Sequence, residues 1–505
     1  MISFSNIPEN LRVPLFFAEL NNSQANTLQS GQKRALLIGQ MTSAGAGVAN
    51  VPVLAQGGTP DGNGQMADAV TLAGAGSMLA LMAGKYRLND SFGEVWYLPL
   101  ADDGAAVAAV GGLLFTHVAT AAGTLNLNVG DVLVQIAVTA TMTLAQLATA
   151  MTAAINANVN LPVTAVVDTV TPNPDKVIIT AKNKGLSEND IPLVLNAGGI
   201  QAGQQMPTAL AITVTAMAGG TTNPSLTAGL AALGDKAFDG VIMPYYDATS
   251  LNSLQTFFND QTGRWAWSQQ IYGHGFTAMV GTVGTAQTLG LTRNDQHMTI
   301  LAQNGSLTPH WLWAPAYSAS ALVALRADPG RPMQTLVING VSAPGVTSQF
   351  LLSDQNTLLW SGISTFNVGD GGVVTLSKLI TTYQENAFGQ PDDSYLGIET
   401  MFQLMFLLQD LAIYVTSNYP RCKLAASMSR IPPGSFIVTP AQIKQDLIGH
   451  YSDLVNAGQA QDLADFAANI QVEQNAQNPN RVDVLYVPTV MNQLNVFAAL
   501  VQFRQ

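Results

Sequence analysis

Five short runs in this chain are apolar at nearly every position: ALLIG at 35–39, VWYLPL at 95–100, the GVIM of FDGVIMPYYD, GFTAMVG and HMTILAQ. A strand apolar on both faces needs cover on both, and helices supply that cover in a parallel sheet. The segments between the runs are helical in pattern. Ser77 caps an Ala, Leu and Met helix expected to reach about Met82. Leu251, Leu254, Phe257 and Phe258 share one helical face, and TAQTLGL and WLWAPAYSASALVALR follow in the same alternation. Strand and helix in turn predict an α/β core.

The alternation stops near 101 and resumes after Pro224. In between, LNLNVGDVLVQIAV, PVTAVVDTV and the region around Ile212 and Val214 change polarity every second residue, as half-buried strands do. One helical stripe, Leu144, Leu147, Ala148, Met151 and Ile155, interrupts them. Residues 101–221 therefore read as a β-rich domain inserted into a larger one built from 23–100 and 222–363. Loops with Ala, Gly and Pro at both borders fit an insertion.

From 364 to 489 the pattern is α+β. TLLWSGIST is expected as a strand, Asp370 and Gly371 as a turn, and VVTLSKLITTY as its partner strand. Met401, Leu404, Met405, Leu408, Ala412 and Val415 mark an amphipathic helix. Thr439 and Pro440 open another, with Ile443, Leu447, Tyr451 and Leu454 facing inward. VDVLYVP and LNVFAALVQF close the chain as strand-like pieces. Two extremities stand apart: an N-terminal arm, 1–22, with Val13, Leu15, Phe16, Phe17 and Leu20, and a C-terminal strand arm, 490–505, with Leu494, Val496, Phe497, Leu500, Val501 and Phe503. Pro8 and Pro14 keep the first extended. An isolated strand has unpaired backbone groups that a neighbour's sheet edge can satisfy, although both ends could equally complete their own subunit's sheet.

Composition narrows the function classes. Only 10% of the 505 residues are charged against 48% hydrophobic, so much neutral surface can be buried against partners without desolvating ions. That suits an assembly subunit, and an Ala-rich globular enzyme is the plain alternative. A net charge of -12 repels phosphate backbones, which argues against a nucleic-acid partner. The single Cys422 allows no internal disulfide and fits a reducing compartment. MISFSNIPENLR has no signal-peptide pattern, and Asp68, Gln409, Asp410 and several glycines break the apolar windows, so neither export signal nor membrane span is expected.

Several motifs touch on catalysis or binding. GHGFTAMVG is close to the H-G-T-x-V-A-G segment that carries the base of subtilisin-type proteases, and Asp247, His274 and Ser318 or Ser320 fall in the right chain order. PAYSASAL has no glycine beside its serine, however, so close substrate approach fails and no catalytic residue is assigned. GAGVAN has Asn50 where a dinucleotide fingerprint needs its third glycine, and is expected as a mobile loop. AGAGSMLALMAGK lacks the first glycine and the Ser or Thr of a phosphate loop. Histidines 117, 274, 297, 310 and 450 are scattered, which gives a metal site no support, and Asp392 with Asp393 reads as a solvated turn. No cofactor is expected.

The segments NIPENLRVPLFFAELNNSQAN, GSMLALM, ALGDKAFDGVIMPYYDATSL, ISTFNVGDGGVVTLSKLITTYQENAFGQPDDSYLGIET, FIVTPAQIKQDLI and QNPNRVDVLYVPTVMNQLNVFAALVQF run in order along the chain. Together they resemble the contractile tail sheath proteins of Mu-like phages. The ITTYQ block with D-D-S-Y-L, and the terminal N-R-x-D, are the most specific, while Lys378 departs from an expected arginine. The resemblance implies a subtilisin-like parallel-sheet core without proteolysis, the β-rich insert facing outward, and a C-terminal α+β domain carrying an exchangeable strand. It implies a homo-oligomer of stacked six-membered rings around a tail tube protein, with baseplate and tail terminator proteins as partners. Such a subunit is assembled in the host cytoplasm and resides in the virion. A sheath of a related injection machine, pyocin or secretion-type, would read almost the same, and a subtilisin-like serine protease is the remaining alternative.

Overall fold

The computed structural model of the chain describes residues 33–169, 173–427 and 435–504. The N-terminal arm with Val13, Leu15, Phe16, Phe17 and Leu20 lies outside the described residues. The first strand, β1 (Ala35–Gln40), is buried at every position. After it come β2 (Val53–Leu54), α1 (Ala67–Ala73), α2 (Met78–Asn89) and β3 (Val95–Leu100). Ser77 Oγ accepts from Ala80 N at 3.3 Å and caps α2 as its residue type requires. The helix runs well past Met82, because nothing between there and Asp90 breaks it and Gly84 leaves room for the carbonyl of Gly64.

Next in the chain are β4 (Val110–His117), β5 (Gly123–Val129), β6 (Val132–Val138), α3 (Leu144–Ala157), β7 (Val163–Val167), β8 (Lys176–Ala181), β9 (Leu193–Leu195) and β10 (Ala211–Ala218). They form two antiparallel sheets, β10-β4-β8-β7 and β6-β5-β9. Thr143 and Gln146 cap α3 reciprocally, and Leu147, Ala148, Met151 and Ile155 are its buried stripe. The period-two segments thus pair with one another and add nothing to the main sheet.

The α/β rhythm resumes with α4 (Thr227–Ala231), β11 (Gly240–Ile242), α5 (Ala248–Phe258), β12 (His274–Val280), α6 (Val283–Gly290), β13 (Met298–Gln303) and α7 (His310–Ala327). The main sheet has the order β13-β12-β11-β1-β3-β2. Its first five strands are parallel, with Ala35 opposite both Gly240 and Val95, and β2 closes one edge antiparallel to β3. Helices α2 and α7 pack on each other and against β1, β11 and β12. The five apolar runs are the five parallel strands, which makes this a mixed α/β fold with parallel and antiparallel sheets.

Beyond α7 the chain forms α8 (Leu352–Trp360), β14 (Thr365–Val368), β15 (Val374–Lys378), α9 (Ile398–Asn418), β16 (Lys423–Leu424), β17 (Ile437–Val438), α10 (Pro440–Asn456), α11 (Leu463–Asn469), β18 (Gln471–Gln474) and β19 (Val482–Leu485). TLLWSGIST is therefore not one strand: its first half ends a helix. The run is too short for periodicity to decide, and Asp354, which accepts from Leu351 N at 2.9 Å, starts the helix upstream of it. Residues 379–383, after β15, stay irregular and buried. Thr382 N from this block donates to Met298 O and Ser364 N, just before β14, donates to Ile300 O, both at 2.9 Å, so the two segments together cover the free edge of β13.

Helix α9 spans two cores. Ile398, Phe402 and Met405 belong to the large core beneath the main sheet, whereas Leu407 joins Ile443, Leu447, Tyr451, Leu454 and Phe466 in a second, smaller one. By length and composition α9 could cross a bilayer. Its N-terminal half is instead consumed by packing, and Glu399 and Gln403 are buried within it. In the second core Tyr451 stacks on Phe466 with ring centroids 3.8 Å apart.

Candidate functional site

His274 begins β12, and its side chain is fully buried. Its Nε2 lies 2.8 Å from Thr299 Oγ1, so it bonds a side-chain hydroxyl rather than the backbone. Burial, and secondarily the neighbouring His297, push its pKa well below the ordinary histidine value, and the ring is neutral. Asp247 is engaged elsewhere: it caps α5 through Ser250 N and Ser250 Oγ and accepts from Asn223 Nδ2 at 2.8 Å. Ser318 Oγ donates to Pro315 O, and Ser320 Oγ lies 3.0 Å from Val337 O. The three residue types occur in order, yet none of their hydrogen bonds joins one to another. We expect no labelling of the native protein by a fluorophosphonate, and His274→Ala to lower stability by about 2–4 kcal/mol as a buried truncation. Labelling that disappears in His274→Ala would overturn this.

Open parallel sheets bind ligands outside the carboxyl ends of their strands, where the strand order reverses. Here that point lies beyond β1, β3 and β11, and the chain itself fills it. Gln40 Nε2 donates to Asp102 Oδ1 at 2.7 Å and to Lys184 O at 2.6 Å. Asn183 Nδ2 reaches Met41 O, its Oδ1 caps Met78 N at 2.9 Å, and Lys182 Nζ bonds Ala75 O and Val159 O. Gly76, with φ 71°, allows Leu161 O to approach where a Cβ would collide. The N-terminus of α2, where a phosphate would sit, is thus occupied by Asn183 and Ser77.

Glu188 is buried in the same seam, with Oε2 unbonded among the described residues, and burial, Asp102 and Asp190 raise its pKa well above the ordinary range. Asp190 Oδ2 accepts from Tyr246 Oη at 3.1 Å and lies 3.1 Å from His310 Nδ1. GAGVAN is hydrogen-bonded into the fold, for Ala46 N and Gly47 N donate to Thr71 O and Leu72 O at the end of α1. Asp392 accepts from Ser394 N and from Tyr383 Oη at 2.7 Å, an ordered turn. Among the described residues no three His, Cys, Asp or Glu side chains converge as a metal site.

The chemistry-free candidate is the C-terminus. Val490 O is held by Gln461 Nε2 at 2.8 Å, Met491 by both ends of the Gln403 amide, and Leu494 O by Gln334 Nε2 at 3.1 Å. Beyond that point no described residue joins a sheet. Leu494, Val496, Phe497, Leu500, Val501 and Phe503 are 68–88% exposed, and LNVFAALVQF, strand-prone by sequence, forms no strand here. β-Propensity without a partner edge is not enough. Nearby, β18 and β19 pair only with each other, Gln471 opposite Leu485, leaving both outer edges unpaired among the described residues. No local pattern announces β18, whose four residues QVEQ carry one strong apolar side chain.

Comparison with known proteins converges on one family. A family model described as the phage tail sheath protein central domain matches residues 219–382, beginning just after β10. A second, described as the phage tail sheath C-terminal domain, matches residues 390–504. The Mu-like prophage FluMu tail sheath protein of Haemophilus influenzae is 34% identical over 503 residues, covering 99% of each chain. Crystal structures of sheath tail proteins from Desulfitobacterium hafniense and Listeria innocua align over 95% and 93% of this chain and 97% and 94% of theirs. They have 10% and 13% identity and TM-scores of 0.48 and 0.47. With a full-length relative at this identity and both sheath domains matched, the chain belongs to the phage tail sheath protein family.

Proposed function

We propose that this protein is the polymerising, contractile sheath subunit of a phage tail, and that strands exchanged between copies tie the polymer together. The observation that carries this reading is the C-terminal segment: six large apolar side chains exposed on a strand-prone stretch with no sheet of its own. A two-stranded sheet such as β18–β19 is marginal alone, and each outer edge can take one donated strand. At about 1 kcal/mol net per hydrogen bond, plus about 1.5–3 kcal/mol per large side chain fully buried, such a strand outweighs a wet surface contact. In the same reading the arm at 1–22 is the second donor, through Val13, Leu15, Phe16, Phe17 and Leu20, and the main sheet is the subtilisin-like core.

If donated strands keep neighbours connected while the bodies turn, two lattices can share one connectivity, and contraction is a descent between them without nucleotide. Head-to-tail contacts build an open helix of stacked six-membered rings around a tail tube protein, bounded by baseplate and tail terminator proteins. The subunit works by binding and not by catalysis, is made in the host cytoplasm, and is carried in the virion. Negative-stain micrographs of the purified protein test this. Hollow tubes of uniform diameter are expected, and a dispersed monomer at high concentration and high salt would count against it.

A further inference from the structure

A groove of about 380 Å³ lies where the two hydrophobic cores meet, between α9 and the loop carrying Trp265. It is lined by Leu404, Leu408 and Leu411, one above another on α9 at helical spacing, and by Trp265, Tyr486 and Pro488. Leu408 is 40% exposed inside it, an apolar side chain that the subunit itself leaves uncovered. The rim is polar: Asp260, with its side chain 55% exposed, accepts from Gln296 Nε2 and pairs with His297 Nε2 at 2.8 Å.

The subunit's own tail does not fill this groove. It is held by Gln403, one residue and so about 100° round α9 from Leu404. No described residue from Thr489 to Arg504 lines the groove, and the chain from Leu494 to Phe503 is long enough to extend roughly 30 Å when stretched. Two features of the tail match the groove. Its aromatic and aliphatic side chains are largely exposed, and Arg504 is its single charged residue after Asp483, directly beside Phe503. An apolar anchor followed by a cation fits an apolar slot with an exposed carboxylate at its rim. Tyr486, which lines the groove, directly follows β19, which ends at Leu485, so the groove adjoins in sequence the hairpin whose outer edge would take the donated strand.

We infer that the occupant is the C-terminal segment of a second copy of this chain, with Phe503 seated between Leu408 and Trp265 and Arg504 against Asp260. The inference rests on the strand donation proposed above and adds a side-chain lock to its backbone pairing. The lock spans the joint between the two cores of the acceptor.

The test is trans cross-linking in the full chain with Cys422→Ser. One copy carries Phe503→Cys, and a second, enlarged by a fused tag, carries Leu404→Cys, Leu408→Cys or Leu411→Cys. A short bismaleimide is added after assembly, and deletion of residues 495–505 is examined in parallel for tube formation. The expected result is a mixed-mass dimer at one or more groove positions, and none when Val166→Cys, exposed on β7 and no part of the groove lining, replaces them. If the deletion abolishes tubes but no groove position links, the lock is wrong and strand donation stands. If the deletion still forms tubes, both fail. In a third sample one chain carries both Phe503→Cys and Leu408→Cys, and linkage seen only within that chain and never between copies would assign the groove to the subunit's own tail and overturn the proposal.

Discussion

Deleting residues 495–505 is expected to give a folded, soluble subunit that forms no tubes. The cut lies beyond Leu494, so the bonds from Gln461 to Val490, Gln403 to Met491 and Gln334 to Leu494 all remain. Every apolar side chain it removes is exposed, and folding stability should change by less than about 1 kcal/mol. Association is a different matter. The lost segment would contribute a row of backbone hydrogen bonds and several buried side chains at each contact, and a helical polymer multiplies that loss along its length. A graded form of the same experiment is Val496→Pro, which deletes one backbone donor and raises the concentration needed for tubes without abolishing them. Sedimentation and electron microscopy read both. Normal tubes from the deletion would sink the strand-exchange reading.

Asp90→Ala should be among the most damaging single substitutions in the large core, by about 3–5 kcal/mol. Asp90 ends α2, and its buried carboxylate accepts from Arg326 Nη2 at 2.9 Å, Tyr86 Oη at 3.2 Å and Gly93 N at 2.8 Å. It thereby joins the C-terminal ends of α2 and α7. Burial alone would raise this carboxyl, but the bond and charge of Arg326, with Gly93 N and Tyr86, outweigh it and hold the pKa below the ordinary range. The stability it contributes is therefore complete above the ordinary carboxylate pKa and is lost as pH falls through the lower folded value. Truncation leaves Arg326 and Tyr86 without their partner. Urea unfolding at neutral pH measures the cost, and adding Arg326→Met to Asp90→Ala should recover part of it. A cost under about 1 kcal/mol would show that the pair is solvated and unimportant.

Particular elements show why some features were legible in the sequence and others were not. The parallel strands were, because burial on both faces demands unbroken apolar runs of strand length, and here they alternate with helical patterns. Helix α10 was legible because Thr439, Pro440 and four inward side chains are local signals. α8 was not, since LLW fits a strand or a helix and its packing against α6 made the choice. β18 was not, since QVEQ becomes a strand through its partner β19. GAGVAN had the composition of a mobile loop, yet the end of α1 supplies carbonyls that its amides meet.

The residues' own periodicities and caps determined the α/β core, the period-two strands between β3 and α4 and the unusual apolar tail, because each of these is written in side chains within a few positions of one another. Three things were decided only by contacts between residues far apart in the chain. The Lys182–Lys184 stretch closes the crevice at the carboxyl ends of the strands, His274 is sealed against Thr299 with no hydrogen bond to Asp247 or Ser318 among the described residues, and α9 is shared between two cores that leave a groove at their joint. Local propensity is a property of the sequence. Whether a crevice is open, a histidine reachable or a strand partnered depends on what the rest of the fold brings beside it.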